Sequence, residues 1–385
     1  MSRPESQTFK EPLQNRLTVY RFGKKDGPMV LVATQDVGAG NAIAPVVAEL
    51  AECFNVMVYA GDTSRKVWES LDHQLVETPV DYTRAVAELK PVVVIAGCSY
   101  SGPGIERKLT RQAKKLGTPT VWVIDSQIGI PTAASVVDTH TDVFPDYLCV
   151  PDEKSKQTLL ETYPQVKDEN VFVTGMPAFD RLIPMLKERE VIRERLRKQL
   201  GIEPDEKVFL FLGQLIGTSD TLASLIDALN MSPEISLIAR FHPRDRDLAS
   251  YQSVLSRYSG RLIDSSAIQS TEQLLLVADF VGSMYSTANL SAIYLQQPAI
   301  YLLQEASARN EMAREYRAES LPKIPAVELG AALAAFDVEQ LRTQINDLLQ
   351  GRLQQQILSA QKEVFRLTEP NAKKVAQAIK TIVSI

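Results

Sequence analysis

The chain has 385 residues, of which 45% are hydrophobic and 23% are charged. This length is too great for one compact core, so we expect about two domains, and the composition is typical of folded globular proteins. No apolar run approaches the ~18–20 residues of a membrane-spanning helix. The 47 acidic and 42 basic residues give a net charge of -5, which argues against nucleic acid as a partner.

The first residues and the counts of two residue types exclude further classes of protein. The segment before Leu17 lacks the apolar stretch of a secretory signal, so we expect a cytoplasmic protein. The three cysteines form no CxxC pair, which argues against a disulfide framework and against a cysteine-rich zinc site. Three histidines are too few for a histidine-rich metal site, so we expect no metal.

Short apolar runs alternate with stretches of helical periodicity along the first half, which is the pattern of a parallel sheet covered by helices. Helices are predicted at 42–52, with Asn41 as the N-cap, and at 105–116. The sequence therefore predicts an α/β, Rossmann-like, doubly wound domain over residues 1–183. Its predicted strands are residues 29–34, 56–59, 92–96, 120–124, 146–150 and 171–174.

A long, highly charged helix is predicted over residues 181–200, and Gly201 ends it. We interpret it as an ordinary inter-domain helix, with peripheral binding to a membrane surface as the alternative. A second strand-and-helix series follows and predicts a second Rossmann-like domain over residues 184–360. A C-terminal helix at 361–385 follows, for which a return to the first domain is one option. Strands are predicted at 208–213, 235–241, around 261, at 277–283 and at 299–303.

The loop after the predicted strand 235–241 carries Arg240, His242 and Arg244, which are residue types that bind phosphate. Loops at the carboxyl ends of parallel strands line the ligand crevice of such sheets, so this loop is a candidate anion site. The alternative is a polar loop in which Pro243 ends the strand and the charges are only solvated.

Three polar residues, Tyr285, Ser286 and Thr287, open the predicted helix that runs toward Tyr294. The hydroxyls and the N–H groups of the first turn can hold a second part of the same phosphate, or Ser286 or Thr287 simply caps the helix. We favour the phosphate site because both motifs occur in the same half. The site also includes Gly213, the last residue of the predicted strand 208–213, and Gln214 after it.

In the first half, Asp36 and the following residues Gly38, Ala39, Gly40 and Asn41 form a glycine-containing segment between a strand and a helix. The segment lacks the third glycine of GxGxxG, so a dinucleotide fingerprint is not supported. Either a ligand approaches its backbone closely or it is a simple tight turn.

A second first-half loop, with Ser99, Tyr100 and Ser101, nearly matches the GxSxG nucleophile elbow, but Ser101 stands in place of the last glycine. A hydrolase triad of Ser99, His140 and an aspartate is one interpretation. A loop that admits a ligand or packs closely on a helix is the favoured one.

Four segments resemble the glycosyltransferase-B (GT-B) superfamily. They look nearest to the CDP-glycerol glycerophosphotransferases and, more distantly, to the UDP-N-acetylglucosamine 2-epimerases. The resemblance covers residues 173–303, whereas the first half matches only in architecture. The segments are VTGMPAFDRL at 173–182, LGIEPDEKVFLFLG at 200–213, ARFHPRD at 239–245 and ADFVGSMYSTANLSAIYLQQPAIYL at 278–302.

This resemblance implies a GT-B-like fold, with two domains that face a cleft, and it implies that His242, Ser286 and Thr287 contact the donor phosphates. The sequence departs from the family pattern at two positions. Met284 stands where a polar residue such as Asp is usual, and Ser291 stands where an acid is expected on the helix. A carboxylate that binds a ribose is therefore missing at that position.

The implied reaction is transfer of a glycosyl or glycerol-phosphate group from a nucleotide-activated donor to a glycan or polyol hydroxyl, in the synthesis of cell-envelope polysaccharide. The donor is a substrate, so no cofactor is expected, and no DxD-like metal cluster accompanies the motifs. The candidate catalytic residues are His242, which stabilises the leaving phosphate with its arginine neighbours, and Asp36 as the general base.

Several alternatives remain open for the first-half loops and for the function. Both loops are assigned to the acceptor side, and Asp36 has the alternative role of capping the turn after it. The alternative functions are a non-catalytic GT-B relative that binds a nucleotide or glycan, and an epimerase relative. The Gly-Thr-Arg-Pro-Glu start of the epimerases is absent, which argues against their reaction.

Overall fold

The computed structural model describes residues 17–99, 104–128, 137–138, 141–142, 144–242, 245, 248–315 and 320–384. The chain forms two compact units, Met1–Asp180 with Pro370–Ile385, and Arg181–Glu369. The second unit is continuous in sequence, and the first is assembled from both parts of the chain that flank it. The chain leaves the first unit after Asp180, where the predicted boundary is residue 183. It returns to the first unit at Pro370, where the predicted boundary is residue 360.

The first unit is built on an eight-stranded sheet in the order β10-β9-β6-β5-β2-β3-β1-β4. Six of these strands are parallel, whereas β1 pairs antiparallel with β3 and β4 at one edge. All seven residues of β3 are buried, as expected for a parallel strand covered on both faces. β7 and β8 form a separate antiparallel pair. The strands are β1 (Leu17–Gly23), β2 (Met29–Thr34), β3 (Asn55–Gly61), β4 (Gln74–Leu75), β5 (Val93–Ala96), β6 (Thr120–Val123), β7 (Val137–Asp138), β8 (Thr141–Asp142), β9 (Tyr147–Val150) and β10 (Val171–Val173).

Helix α1 (Val37–Leu50) begins five residues earlier than predicted, because its N-cap is Asp36 and not Asn41. The Asp36 Oδ1 accepts a hydrogen bond from the Ala39 N–H at 2.9 Å, and this cap offsets part of the low helix propensity of the two glycines in the first turns. The remaining helices of this part of the chain are α2 (Arg65–Glu69), α3 (Ala85–Leu89), α4 (Ile105–Lys115) and α5 (Glu153–Thr162).

The second unit contains a five-stranded, fully parallel sheet in the order β12-β11-β13-β14-β15. Residues near 261, predicted as a strand, contribute only an isolated bridge between Leu262 and Leu237. The strands are β11 (Lys207–Leu212), β12 (Ile235–Arg240), β13 (Phe280–Ser283), β14 (Ala299–Leu302) and β15 (Leu333–Ala335). The helices are α6 (Ile183–Lys187), α7 (Arg189–Gln199), α8 (Thr218–Leu229), α9 (Leu248–Leu255), α10 (Thr271–Val277), α11 (Thr287–Tyr294), α12 (Ala306–Glu315), α13 (Pro325–Glu328), α14 (Val338–Leu349) and α15 (Gln354–Val364).

The charged segment predicted as one helix is divided into a 3-10 turn (Pro177–Leu182), α6 and α7. Its arginines anchor α7 inside the unit, since Arg193 and Arg197 both pair with Asp279, at 2.8 and 3.3 Å. Arg193 also donates to the carbonyls of residues 276–278. In the part of the chain that the structure describes, every helix is too short or too polar to cross a lipid bilayer.

Helix α16 (Asn371–Ile382) returns to the first unit and packs against α1. Its residues Val375 and Ile379 join the same buried cluster as Val47. The carboxylate of Asp180 accepts hydrogen bonds from the N–H groups of Asn371 and Ala372, both at 2.8 Å. Asp180 therefore fixes the start of α16 at the place where the chain re-enters this unit.

Candidate functional site

The strand order of the second sheet creates a crevice at its carboxyl edge. From β11 the chain passes to β12 on one side, and it later adds β13 on the other side. Such a reversal of strand order separates the loops that follow the two strands, and ligands bind there in open α/β sheets. Here the side-chain Oε1 of Gln214, after β11, accepts a hydrogen bond from the N–H of Tyr285, after β13, at 2.8 Å. The predicted residues Gln214 and Tyr285 thus join the two loops.

A pocket of about 250 Å³ lies at this edge, entirely within the second unit. It brings together five of the residues predicted to bind the donor phosphates, which come from three different strand ends. These are Gly213, Arg240, His242, Ser286 and Thr287.

An arginine and a histidine line this pocket, at the end of β12 and in the loop after it. The Arg240 guanidinium donates to the backbone carbonyls of Ile268 and Gln269, at 3.1 and 2.9 Å, which fixes its position. Next to it, the ring of Phe241 stacks on Tyr251 with the centroids 4.3 Å apart, which holds the backbone that presents His242. Arg244, the third predicted cation, lies outside the described residues, as does Pro243.

The start of α11 supplies the opposite polar wall. Ser286 is the N-cap, and its hydroxyl oxygen accepts a hydrogen bond from the N–H of Ala288 at 3.2 Å. The capping role weighed in the sequence analysis is therefore present, but a hydroxyl that accepts one bond retains its proton for donation to a ligand. The helix N-terminus also favours negative charge at this point.

The sequence reasoning missed a carboxylate in the same pocket, Glu272 in the first turn of α10. Its Oε1 accepts from Arg181, with the Nη2 at 2.9 Å and the Nε at 3.3 Å, and its Oε2 accepts from the Ser270 hydroxyl at 3.2 Å. Burial would raise the pKa of Glu272, but the bonds from Arg181 and the backbone outweigh burial and lower it, so the group is ionised at neutral pH. Ser270 and Glu272 carry a helix-start signal, whereas no sequence pattern relates them to Arg181.

In the first unit the two predicted acceptor-side segments meet at the carboxyl ends of the neighbouring strands β2 and β5. The N–H of Asp36 donates to the Ser99 hydroxyl at 3.0 Å, and that hydroxyl donates to Oε1 of Glu106 at 2.5 Å. Gly38, Ala39, Gly40 and Asn41 form the first turns of α1 and not the predicted loop. Tyr100, Ser101 and His140 lie outside the described residues. Ser99 is thus hydrogen-bonded to the carboxyl group of Glu106.

Two further acids accompany Asp36, the buried Glu106 and the half-buried Asp125. Burial raises the pKa of Glu106 to about 8 although Ser99 and Gln35 donate to it, and burial together with the charge of Asp36 raises the pKa of Asp125 to about 7. Asp36 itself caps α1, which is the alternative role stated above, and its assignment as the general base stays a prediction. Among the described residues, no three His, Cys, Asp or Glu side chains are arranged to hold a metal ion.

Comparison with solved structures defines the class of fold. The structure of a UDP-GlcNAc 2-epimerase from Neisseria meningitidis bound to UDP-GlcNAc matches with a TM-score of 0.62 at 14% identity, over 92% of this chain and 100% of that chain. The S. aureus MnaA-UDP structure matches with a TM-score of 0.66 at 14% identity, over 93% and 97% of the two chains. A variant of the wall teichoic acid polymerase TagF matches with a TM-score of 0.50 at 12% identity, over 94% and 90%. The fold is therefore α/β of the GT-B type, with two parallel-sheet units.

A narrower similarity comes from the sequence. Residues 131–319 match the model of a family described as CDP-Glycerol:Poly(glycerophosphate) glycerophosphotransferase. This match confirms the resemblance that the motifs after residue 173 indicate, and it supports a nucleotide-dependent transferase as the general class. A comparison with curated proteins gives no significant match.

Proposed function

We propose that this chain is a transferase that moves a glycerol-phosphate or glycosyl group from a nucleotide-activated donor to a hydroxyl of a glycan or polyol. The observation that carries the proposal is the pocket at the β11/β13 crevice, where His242, Arg240 and the N-terminus of α11 face one volume. A guanidinium, an imidazole and a helix start on one cavity suit an anionic donor, because each of them can donate hydrogen bonds to phosphate.

The chemistry follows from the charges that change during transfer. For a glycerol-phosphate donor, the acceptor oxygen forms a bond to phosphorus, the bond from that phosphorus to the nucleotide breaks, and a nucleoside monophosphate leaves with the electron pair. Positive charge on Arg240 and hydrogen bonds from Arg240 and His242 stabilise the leaving phosphate. The acceptor proton passes to a general base, for which Asp36 is our candidate. The donor is a substrate in this scheme, so no further cofactor is needed.

Within this class we propose CDP-glycerol as the donor and a cell-envelope polymer as the acceptor, with the reaction in the cytoplasm. The family description names CDP-glycerol, and the TagF structures belong to a wall teichoic acid polymerase. The sequence resemblance to glycerophosphotransferases over residues 173–303 points the same way.

The test is to incubate the purified chain with CDP-glycerol, with or without a polyol-phosphate acceptor, and to measure both binding and release of CMP. We expect acceptor-dependent release. UDP-GlcNAc serves as the second donor, with release of UDP and conversion at C2 both measured. Binding of a donor without turnover of any kind favours the non-catalytic alternative, and conversion of UDP-GlcNAc at C2 favours the epimerase.

A further inference from the structure

The pocket of the second unit combines groups that bind anions with one carboxylate. The helix start at Ser286 and the Arg240 guanidinium favour an anion, whereas the oxygens of the ionised Glu272, whose charge Arg181 balances, only accept hydrogen bonds. The first groups suit a diphosphate, and the part of the donor beside Glu272 has to donate hydrogen bonds.

Glu272 is held in a fixed orientation. Arg181 makes two bonds to its Oε1, and Ser270 makes one bond to its Oε2. A carboxylate has about four lone-pair sites, so these bonds leave capacity for further donors. Its side chain retains 28% exposure, so that capacity is accessible to a ligand.

We propose that Glu272 binds the ribose diol of the donor nucleotide and makes the site selective for ribonucleotides over 2′-deoxyribonucleotides. The inference rests on the proposed function and adds a specificity-determining residue to it. The ribose is joined directly to the phosphates, so it is the part of a nucleotide that lies next to the phosphate site. A carboxylate pairs well with ribose hydroxyls, as the acidic residue of dinucleotide-binding folds does.

The position of Glu272 also explains how the site can bind a ribose although α11 carries no acid at residue 291. Ser291, where the resemblance leads one to expect a carboxylate, lines the same pocket as Glu272. The carboxylate is thus supplied by α10, the helix that packs beside α11. Arg181 acts as a positioning residue, since it orients the carboxylate.

The experiment measures binding of CDP, 2′-deoxy-CDP, UDP and 2′-deoxy-UDP by calorimetry to the full chain and to Glu272→Gln. In the unmodified chain we expect the preferred ribonucleotide to bind about 10- to 100-fold more tightly than its deoxy form, the usual effect of one hydrogen bond to a charged group. Glu272→Gln should reduce this ratio to about threefold or less. Inorganic pyrophosphate should compete equally well in both proteins, which shows that the phosphate end is intact.

The matched control is Glu339→Gln. Glu339 is also in the first turn of a helix and pairs with Arg342 at 3.2 Å, but it is exposed and outside the pocket. This variant should keep the full ratio. Equal binding of ribo and deoxy forms by the unmodified chain, or an equal loss for both forms in Glu272→Gln, overturns the role of Glu272 and leaves the proposed function standing. Absence of binding for all four nucleotides overturns both.

Discussion

His242 and Ser286 reach one pocket from loops that follow two different strands, β12 and β13. Each has a second role in the local backbone, because Ser286 caps α11 and His242 lies in the turn closed by its carbonyl and the N–H of Asp245. Substitution at these positions therefore has to be measured for both affinity and stability.

We expect His242→Ala and Ser286→Ala each to weaken nucleotide binding by about 10- to 100-fold, since hydrogen bonds to charged groups contribute about 1.5–3 kcal/mol. Calorimetric titration with the donor nucleotide measures this effect. Ser286→Ala should also lower stability by about 1 kcal/mol through loss of the cap. Asp337→Ala, which removes the cap of α14 outside the pocket, is the control that should lower stability alone. Unchanged affinity in both pocket variants would contradict the phosphate site.

Asp36→Asn separates the two roles assigned to that residue. The amide oxygen of Asn can still accept the bond from Ala39, so α1 keeps its cap, but an amide cannot take a proton. If Asp36 is the general base, kcat falls by about 10²–10⁴-fold while donor affinity is unchanged. Steady-state kinetics with the proposed donor, CDP-glycerol, measure this effect. Near-normal turnover would assign Asp36 to capping alone.

The raised pKa of Glu106 predicts how the free energy of unfolding depends on pH. Its pKa is raised from 4.5 to about 8 by burial, so between these values the folded protein binds more protons than the unfolded chain. The contribution of Glu106 to the free energy of unfolding is thus fully present below about pH 4.5. It falls by up to ~1.4 kcal/mol per pH unit as the pH rises, and it is lost above about pH 8. We expect Glu106→Gln to flatten this dependence in urea unfolding at pH 5 to 8. The exposed Glu339→Gln should keep the slope of the unmodified chain, and an unaltered slope in Glu106→Gln would refute the assignment.

The predicted residues that the structure brings into one pocket belong to local motifs, and their role in binding stays a prediction. Arg240 with His242, and Ser286 with Thr287, each lie within three residues of one another at or just after the end of a strand, so the α/β pattern alone places them at the carboxyl edge. Glu272 and Arg181 were missed because the two residues are 91 positions apart in the sequence. In addition, α10 has only seven residues, which is too few for its apolar periodicity to predict which side faces the core. The hydrogen bond from Ser99 to Glu106 was missed because the sequence of an amphipathic helix does not distinguish a buried acid from a solvent-exposed one.

At the scale of elements, the apolar strands were predicted closely and the helix ends less well. β2 and β14 agree with their predicted ranges almost to the residue, because fully buried strands form unbroken apolar runs. The charged stretch 181–200 was predicted as one helix but is interrupted at Glu188, whose φ of -110° and ψ of 16° are not helical. Charge periodicity also does not reveal that Arg193 and Arg197 bind Asp279. β15, with the sequence Leu-Ala-Ala, is too short and too weakly apolar to predict.

The attachment of α16 depends on Asp180, whose two oxygens accept from the first N–H groups of the helix. We expect Asp180→Ala to cost about 1–2 kcal/mol, the usual range for loss of a helix cap, and to speed amide exchange in α16. Hydrogen exchange with mass spectrometry measures this by segment. Asp152→Ala, which removes the cap of α5 in the same unit, should leave exchange in α16 unchanged. Slow exchange of α16 in both variants would show that apolar packing alone holds the helix.

The whole molecule consists of one continuous unit inserted into another. The sequence predicted two α/β halves because each has its own series of strands. It did not decide where the last helix docks, because periodicity identifies an apolar face but not its partner. The core of the first unit includes residues from both α1 and α16, so its completion requires both parts of the chain.

Removal of residues 370–385 should therefore unfold the first unit selectively. The second unit has its own buried cluster, which includes Phe209, Phe211 and Leu225, and should keep a cooperative thermal transition. Limited proteolysis and calorimetry distinguish the two units. As a control, residues 17–180 joined to 370–384 by a short Gly/Ser linker should fold without the second unit. Retention of both transitions in the truncated chain would contradict the role of α16.

The inserted arrangement also sets the order of events on the ribosome. Residues 17–180 are made first, yet the face of α1 that α16 covers stays uncovered while all of Arg181–Glu369 is being made. The second unit is completed in one continuous stretch and is free to fold as soon as it emerges. Of the two units, the one whose synthesis starts earlier is thus completed later, and its exposed apolar surface persists until α16 has left the ribosome.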